Sequence, residues 1–317
     1  MKKETLQKLR VPGEHLKPLI LESGDLNDGI LKGGDGKEFA IRGGIPRLLD
    51  QRYDQYTQRS FSAEWRELEV HDDVWGRPVL ERMKELVLLE LPPAQLKGLE
   101  FLDVGCGNGL FARAVAMQFQ ANVIATDISA GVEIGRRAAQ EDEKIDFVQT
   151  DMRFPPFKNE AFDIIWCAGS LHHTKDPRLI FKRLAPLLKR GGRIFVWLYA
   201  KGRNRSFKWY ARRITKNIVC RLPVFLQDSA VFMIACFTIT KQFILAKILG
   251  KKPHVPFVPK LRHHRMMARD SYTIRYDWHF TTDDVLQWHK ECGLKTIYAK
   301  YVTESDGDWL AGLAERE

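Results

Sequence analysis

The stretch that decides the fold is Phe101-Leu102-Asp103-Val104-Gly105-Cys106-Gly107-Asn108-Gly109-Leu110. Its first four residues predict a buried strand and Leu110 begins a helical pattern, so the glycines occupy the turn between the two. Glycines in such a turn allow a ligand to approach the backbone closely. A dinucleotide-binding turn would need the pattern G-x-G-x-x-G, but here the glycines stand at 105, 107 and 109. The sequence therefore disfavours NAD as the ligand.

From this stretch onward, short β-rich runs alternate with helical patterns, as in a parallel α/β sheet. Strands are predicted at 101–104, 122–125, 145–149, 162–167, 193–198 and 295–301. Helices are predicted at 79–89, 110–118, 130–141, 177–188 and 283–291. Thr281 and Asp284 have the spacing of a capping box, which predicts the start of the last helix.

Acidic residues follow two further predicted strands. Asp127 ends the second strand, where a carboxylate can accept hydrogen bonds from both hydroxyls of a ribose. Asp151 and Met152 follow the third strand. There the acid can accept from the exocyclic amine of an adenine while the thioether packs on the ring. Together with the glycine-rich turn, these residues predict a nucleoside site at one edge of the sheet.

The combination of these motifs resembles the class I S-adenosylmethionine (SAM)-dependent methyltransferases. Asp103 and the glycines at 105, 107 and 109 match the first motif of that family, and Asp127 matches its ribose-binding acid. Residues 151–152, 162–165 and 187–192 match its adenine contact, its fourth strand and its turn into the fifth strand. The resemblance covers residues 95–200 and 280–317. It implies an α/β fold with a Rossmann-like seven-stranded core, SAM as cofactor and S-adenosylhomocysteine as product.

The resemblance also assigns the residues that bind the cofactor. The expected set is Asp103, Gly105, Cys106, Gly107, Asn108, Gly109, Asp127, Ile128, Asp151, Met152, Ala168 and Phe61. Phe61 belongs to a segment at 56–65 that is similar to the lid these enzymes place over the cofactor, where aromatic rings attract the positive sulfonium. Phe61 and Trp65 are also four residues apart, which is equally typical of the buried face of a helix.

The chemistry of methyl transfer points to the residues that follow the fourth strand. A transferase of this kind aligns the acceptor with the methyl group and, where needed, removes a proton from an oxygen or nitrogen. His172 and His173 lie at this place and can act as the general base, and His172 is favoured for its proximity to the cofactor. The alternative is that one histidine caps the next helix or binds a backbone carbonyl.

No metal site is expected anywhere in the sequence. Residues 15–50 resemble the small zinc-ribbon-like module that precedes some methyltransferases, particularly at 44–49, but the metal-binding cysteines are missing. The five cysteines form no C-x-x-C pair, which predicts reduced thiols without structural zinc. We therefore expect a degenerate, β-rich cap at the N-terminus.

The net charge of +10 is concentrated in one segment, between Lys201 and Asp270. This segment has 16 Lys or Arg against two acids, a net +14, so the rest of the chain carries −4. An apolar run at 229–240 lies within it and is too short to cross a bilayer. Three roles stay open for it: a helix packed on the sheet, a helix that contacts lipid or an anionic membrane, and a nucleic-acid patch in which Trp209 and Tyr210 stack.

These observations predict four segments. They are an N-terminal module at 1–50, a helical lid or linker at 51–94, a SAM-binding core at 95–200 and 280–317, and a helical insertion at 201–279. The expected function is methyl transfer to an oxygen or nitrogen of a small-molecule, glycan or lipid-like acceptor. The alternatives are a membrane-associated SAM-binding protein without catalysis and a nucleic-acid methyltransferase, which the apolar run disfavours. A polar start and the absence of 18 consecutive apolar residues predict a cytoplasmic protein, with peripheral membrane contact through 201–260 as an option.

Overall fold

The computed structural model describes residues 1–14, 16–67, 73–74, 77–78, 83–139, 144–201, 207–248, 257–304 and 307–317. The elements before the core are α1 (Lys3–Lys8), β1 (Leu19–Gly24), β2 (Gly29–Gly33), β3 (Glu38–Arg42), β4 (Ile45–Leu48), α2 (Gln55–Glu67), β5 (Asp73–Val74), β6 (Arg77–Pro78), and 3-10 helices at Lys84–Leu89 and Pro93–Leu96.

The remaining elements are those of the core and of one helical insertion. In chain order they are β7 (Glu100–Val104), α3 (Leu110–Phe119), β8 (Asn122–Asp127), α4 (Gly131–Ala138), β9 (Ile145–Thr150), β10 (Phe162–Ala168), a 3-10 turn at Leu171–His173, α5 (Pro177–Leu184), a 3-10 turn at Ala185–Leu187, β11 (Leu188–Tyr199), α6 (Phe207–Val219), α7 (Val224–Ile248), α8 (Phe257–Thr273), α9 (Thr282–Glu291), β12 (Lys295–Glu304) and β13 (Gly307–Glu315).

The core sheet has seven strands in the order β9-β8-β7-β10-β11-β13-β12. Strands β7 to β11 pair in parallel, and β13 runs antiparallel to both of its neighbours. The order reverses at β7, and in open α/β sheets a ligand binds beyond the carboxyl ends of the strands at such a point. The Rossmann-like, seven-stranded α/β core predicted from the sequence is confirmed.

Helices cover both faces of this sheet. Phe111 and Val115 of α3 pack into the apolar cluster on one face, and Phe181 of α5 and Trp288 of α9 pack into the cluster on the other. Strands β7 to β10 are accordingly buried on both sides, which is why they contain few exposed polar residues. The predicted capping box at the start of α9 is present: the hydroxyl of Thr281 accepts from the backbone of Asp284, whose carboxylate accepts from the backbone of Thr281.

Three predicted helices differ from the structure. The helix predicted at 177–188 ends at Leu184 and passes through a 3-10 turn, because Pro186 has no N–H to continue the helical bonds. The helix predicted at 130–141 ends at Ala138, where Ala139 is already extended, and residues 140–143 lie outside the described part. Of the helix predicted at 79–89, residues 84–89 form a 3-10 helix and residues 79–82 lie outside the described part.

The N-terminal strands are continuous with the core sheet. Strands β1 to β4 form an antiparallel meander, and β4 pairs in parallel with β9, so that the combined sheet has eleven strands. Arg47 of β4 reinforces this junction with an ion pair of 3.0 Å to Glu133 of α4. The β-rich character predicted for residues 1–50 is therefore found, and its sheet is an extension of the core.

The insertion consists of α6, α7 and α8. The apolar run at 229–240 forms the middle of α7, which packs on α8, and α8 in turn contacts α6 and α2. Among the described residues, no helix has the length and apolar character that a membrane span requires. The insertion thus rests on α2, the helix next to the glycine-rich turn.

Candidate active site

A cavity of about 390 Å³ lies beyond the carboxyl ends of β7 to β10. Residues of the glycine-rich turn, of α2 and of the insertion line the same space. Nine predicted cofactor residues are in its wall: Gly105, Cys106, Asn108, Asp127, Ile128, Asp151, Met152, Ala168 and Phe61. The structure therefore brings most of the predicted cofactor set together.

The glycine-rich turn makes close contacts that only glycine allows. Gly105 has a φ of +79°, and a Cβ there would lie 2.3 Å from the Cβ of Ser170. Gly107 has a φ of +60°, and a Cβ there would meet the indole of Trp65 at 2.2 Å. The backbone N–H groups of Gly105 and Cys106 both donate to the carbonyl of Thr126, which ties the turn to β8.

The three predicted residues outside the cavity wall support the turn from behind. Asp103 is buried at the end of β7. Gly107 packs against Trp65, and Gly109 adopts a left-handed conformation as it begins α3 beside Phe147. They therefore contribute to the shape of the turn.

Asp127 presents its carboxylate to the cavity. Oδ2 accepts the N–H of Gly107 at 2.9 Å, and Oδ1 accepts the N–H of Ser129 at 2.8 Å. Burial raises the pKa of the Asp127 carboxyl, and these hydrogen bonds act in the opposite direction. The carboxylate also borders the cavity, and an ionised carboxylate only accepts hydrogen bonds, so it can accept from a ligand hydroxyl. This arrangement fits the two hydroxyls of a ribose.

Asp151 is already paired within the protein. Its Oδ2 receives a hydrogen bond of 2.6 Å from Arg153 and one of 3.3 Å from the backbone N–H of Asp54. Met152 lies beside it in the cavity wall, with its Cε near Gly105. An amine of a bound base would therefore share the Asp151 carboxylate with Arg153, while the thioether of Met152 is placed to pack on the ring.

The two histidines occupy different environments. His173 lines the cavity, and its ring lies 5.8 Å from that of Phe61. His172 is fully buried and stacks on Tyr199 with ring centroids 4.0 Å apart, and burial lowers its pKa well below the ordinary value. The sequence favoured His172 for proximity to the cofactor, but the structure places His173 at the cavity surface.

The part of the cavity that β11 and β13 line is aromatic. Trp197 and Tyr199 project from β11 with ring centroids 5.6 Å apart, and Trp309 of β13 lies 5.6 Å from Trp197. Met267 and Asp270 of α8 line the same cavity. Sequence reasoning did not single out these residues. The two-residue period of β11 places residues 197 and 199 on one face, and this was the available signal.

The segment predicted as a lid is helix α2. Trp65 is buried against Gly107 and packs with Met266 of α8, whereas Phe61 is partly buried and faces the cavity near His173. Both aromatic residues line the cavity. This helix therefore both packs into the protein and lines the cavity, and its role as a lid stays a prediction.

Metal-ligating side chains do not cluster in the described part of the chain. No group of three or more His, Cys, Asp or Glu residues there could hold a metal ion. The five cysteines are free thiols, and burial raises the pKa of Cys106 well above its ordinary value. Cys106 is therefore a small, partly buried thiol in the turn that borders the cavity.

Comparison with known proteins agrees with this geometry. Residues 102–196 match the family model described as a methyltransferase domain. A ubiquinone biosynthesis O-methyltransferase of Coxiella burnetii is 33% identical over 142 residues, which are 44% of this chain and 58% of that protein. A demethylmenaquinone methyltransferase of Clavibacter sepedonicus is 35% identical over 131 residues, which are 40% of this chain and 53% of that protein. The chain thus spans just over half the length of these relatives.

Solved structures show the same fold. The phosphoethanolamine N-methyltransferase 2 of Haemonchus contortus, solved with S-adenosyl-L-methionine, superposes with a TM-score of 0.53 at 14% identity. The match covers 86% of this chain and 61% of that one. At this identity the likeness concerns the fold.

The fold, the glycine-rich turn and the family match define the class. Residues 102–196 form a methyltransferase domain, and the glycine-rich turn and the acid at the end of β8 stand where the sequence predicts a SAM site. The residues fit this cofactor, because the carboxylate of Asp127 and the thioether of Met152 both border the cavity beside the glycine-rich turn.

Proposed function

We propose that this chain is a SAM-dependent methyltransferase that acts on an oxygen or nitrogen of a small, partly apolar acceptor. The observation that carries the proposal is that one cavity contains both Asp127 and His173. The predicted cofactor residues line the cavity mainly from β7 to β9, and the aromatic residues Trp197, Tyr199 and Trp309 line it from β11 and β13. A protein that only bound SAM would not need a titratable side chain such as His173 in the part of the cavity that the aromatic residues line.

His173 is the residue that we assign as the general base. Its Nδ1 lies 3.0 Å from the carbonyl oxygen of Tyr276. Because a carbonyl can only accept, Nδ1 carries the hydrogen, and Nε2 of the neutral ring is the free acceptor. When bound, SAM supplies a methyl group on a positive sulfonium. His173 can then hold the acceptor and take its proton at Nε2.

The acceptor class follows from the aromatic wall and from the relatives. Three aromatic side chains in one wall favour a flat or apolar group over a strongly hydrated sugar. The names of two relatives place them in ubiquinone biosynthesis and in demethylmenaquinone methylation. We therefore place the acceptor among small amphipathic molecules, with a lipid-like molecule as the first candidate.

The test is a transfer assay with methyl-labelled SAM, the protein and a cell extract, followed by partition into organic, aqueous and macromolecular fractions. Label in the organic fraction is the expected result. Label only in nucleic acid would contradict the proposed acceptor class. If SAM binds but label enters no fraction, the proposed transfer activity is wrong and the chain only binds SAM.

We also propose that helix α7 contacts an anionic membrane surface from which such an acceptor would be drawn. One face of α7 is buried through residues 227, 231, 235 and 239. The opposite face exposes a stripe of large apolar side chains: Leu226, Met233, Phe237, Ile244 and Ile248. These residues recur every four or seven positions, so they lie on one side of the helix.

The positive charge of the insertion supports an anionic lipid surface as the partner of this apolar stripe. Lys241 and Lys247 are exposed on α7, and Arg221 is exposed just before it. The whole segment from 201 to 270 carries a net +14. Apolar side chains flanked by cations favour an interface of anionic lipids, where both hydrophobic burial and charge attraction contribute.

Liposome co-sedimentation tests this contact. We expect binding to vesicles that contain phosphatidylglycerol, weaker binding to pure phosphatidylcholine, and weakening of the charge-driven part in high salt. The double variant Met233→Gln/Phe237→Gln should bind roughly tenfold more weakly, because two exposed apolar side chains are lost. Leu16→Gln is the matched control, since Leu16 is 90% exposed but lies outside the insertion. Equal binding of the double variant and the wild type would refute the contact.

A further inference from the structure

The segment that follows α8 holds the turn that carries His173. The backbone N–H of Trp278 donates to the carbonyl of His172 at 3.1 Å, and its indole N–H donates to the carbonyl of Thr174 at 2.9 Å. With the contact of His173 Nδ1 to Tyr276, three hydrogen bonds join this segment to the turn. The insertion therefore fixes the position of the histidine as well as lining the cavity.

Asp270, in the last turns of α8, faces the other nitrogen of the same ring. Its Oδ1 lies 3.9 Å from His173 Nε2, and the two side chains are 15% and 6% exposed. This separation is too long for a direct hydrogen bond but suits an ion pair once the ring is protonated. It also allows a single acceptor atom to lie about 2.8 Å from both groups.

The cations near Asp270 are paired with another acid. Lys216 and Arg212 of α6 lie 3.2 and 3.4 Å from Asp277. Burial raises the pKa of Asp277, but the nearby positive charges, Lys216 first among them, bring it below its ordinary value. The pKa of the Asp270 carboxyl lies above its ordinary value, because burial raises it by more than the charges of His173, Lys216 and Arg212 lower it. The other titratable groups around the pair are His172, Tyr199, Glu64 and His279.

We propose that Asp270 is a positioning residue that pairs with the imidazolium of His173 during methyl transfer. The inference rests on the proposed function, because it requires His173 to accept a proton. As the acceptor heteroatom bonds to the methyl carbon, its proton moves to Nε2, and the carbon–sulfur electron pair stays on sulfur. The positive charge that appears on the ring is then opposed by the Asp270 carboxylate. A residue of the insertion thus stabilises the protonated form of a histidine of the core.

The first test reads the pair without any methyl transfer. The carboxyl of Asp270 is titrated by NMR in protein labelled with 13C-aspartate, and the Asp270→Asn variant assigns its signal. In His173→Gln the carboxyl should titrate at a pH higher by about one unit or more, because it has lost an opposing positive charge. A titration identical to that of the wild type, in a folded variant, would overturn the proposal.

The second test is the pH profile of the labelled-methyl assay in the fraction that receives label. Asp270→Asn should slow transfer at least tenfold and shift the acidic limb of the profile to lower pH, because the protonated ring loses its counter-charge. Asp270→Glu should restore part of the rate. The exposed Asp283 of α9 provides the control: Asp283→Asn makes the same charge change and should leave rate and profile unaltered.

The two tests separate the inference from the function on which it rests. A slower Asp270→Asn enzyme with an unshifted acidic limb would show a merely structural role and refute the pairing. If the wild type transfers no label, the proposed function fails, yet the NMR titration still determines whether His173 and Asp270 interact. Both results together are required for the assignment to stand.

Discussion

The cavity wall that we propose for the cofactor is built from residues close in sequence, whereas the wall that we propose for the acceptor combines segments far apart. Gly105, Asp127 and Asp151 follow three successive strands that pair side by side. His173 instead depends on Tyr276 and Asp270, about a hundred residues further along the chain. Under the proposed function, donor binding would therefore depend on the core alone, while acceptor binding would depend on how the insertion packs against it.

Replacing His173 by Gln should have the largest effect on the acceptor side alone. Without a base at the cavity surface, methyl transfer should fall roughly 100-fold or more, since a general base contributes that much. SAM affinity, measured by isothermal titration calorimetry, should stay within about twofold. His172→Gln is the variant for comparison, since it makes the same substitution at the neighbouring histidine, whose ring is buried. Full activity in His173→Gln would remove the distinction between the two walls.

Replacing Asp127 by Ala should affect the cofactor wall. The variant loses two hydrogen bonds to a charged acceptor, each worth about 1.5–3 kcal/mol, so the Kd for SAM should rise roughly 100-fold. Calorimetry on His173→Gln supplies the control, because that variant should keep its affinity. An Asp127→Ala protein that bound SAM as tightly as the wild type would show that this carboxylate does not hold the ribose.

The smallest expected effect is on the pH dependence of stability, compared between a histidine of the core and a histidine of the insertion. Burial lowers the pKa of His289, in α9 of the core, from its ordinary 6.5 to about 4. The unfolded chain therefore takes up this proton first as the pH falls, and stability decreases between pH 6.5 and 4. Thermal unfolding of His289→Asn should depend less on pH in this window than that of the wild type. His263→Asn, at an exposed position of the insertion, should unfold with the wild-type pH dependence.

The core could be predicted because its signals are local. A strand, a turn with three alternate glycines and an acid at the end of the next strand all lie within about thirty residues, and their pairing follows from the parallel sheet. The outlines of β7 to β10 and the position of Asp127 were accessible in this way, whereas β11 begins at Leu188, five residues before its predicted start. The 3-10 turn at Pro186 was missed although proline gives a direct signal for it.

The acceptor wall could not be predicted to the same extent. Tyr199 stands one residue beyond the predicted strand, so the alternation that pairs it with Trp197 was cut short. Asp270 lies in a helix whose neighbours are decided by the packing of α6, α7 and α8, and no local pattern places it beside His173. The choice between His172 and His173 likewise depends on which ring is exposed to the cavity.

The most direct test of this account is a crystal structure of the protein with S-adenosylhomocysteine. We predict that the ribose hydroxyls bind the Asp127 carboxylate and that the sulfur faces the wall formed by His173, Tyr199 and Asp270. A ligand whose ribose lies away from Asp127, or whose sulfur points away from His173, would contradict the division of the cavity into a cofactor wall and an acceptor wall.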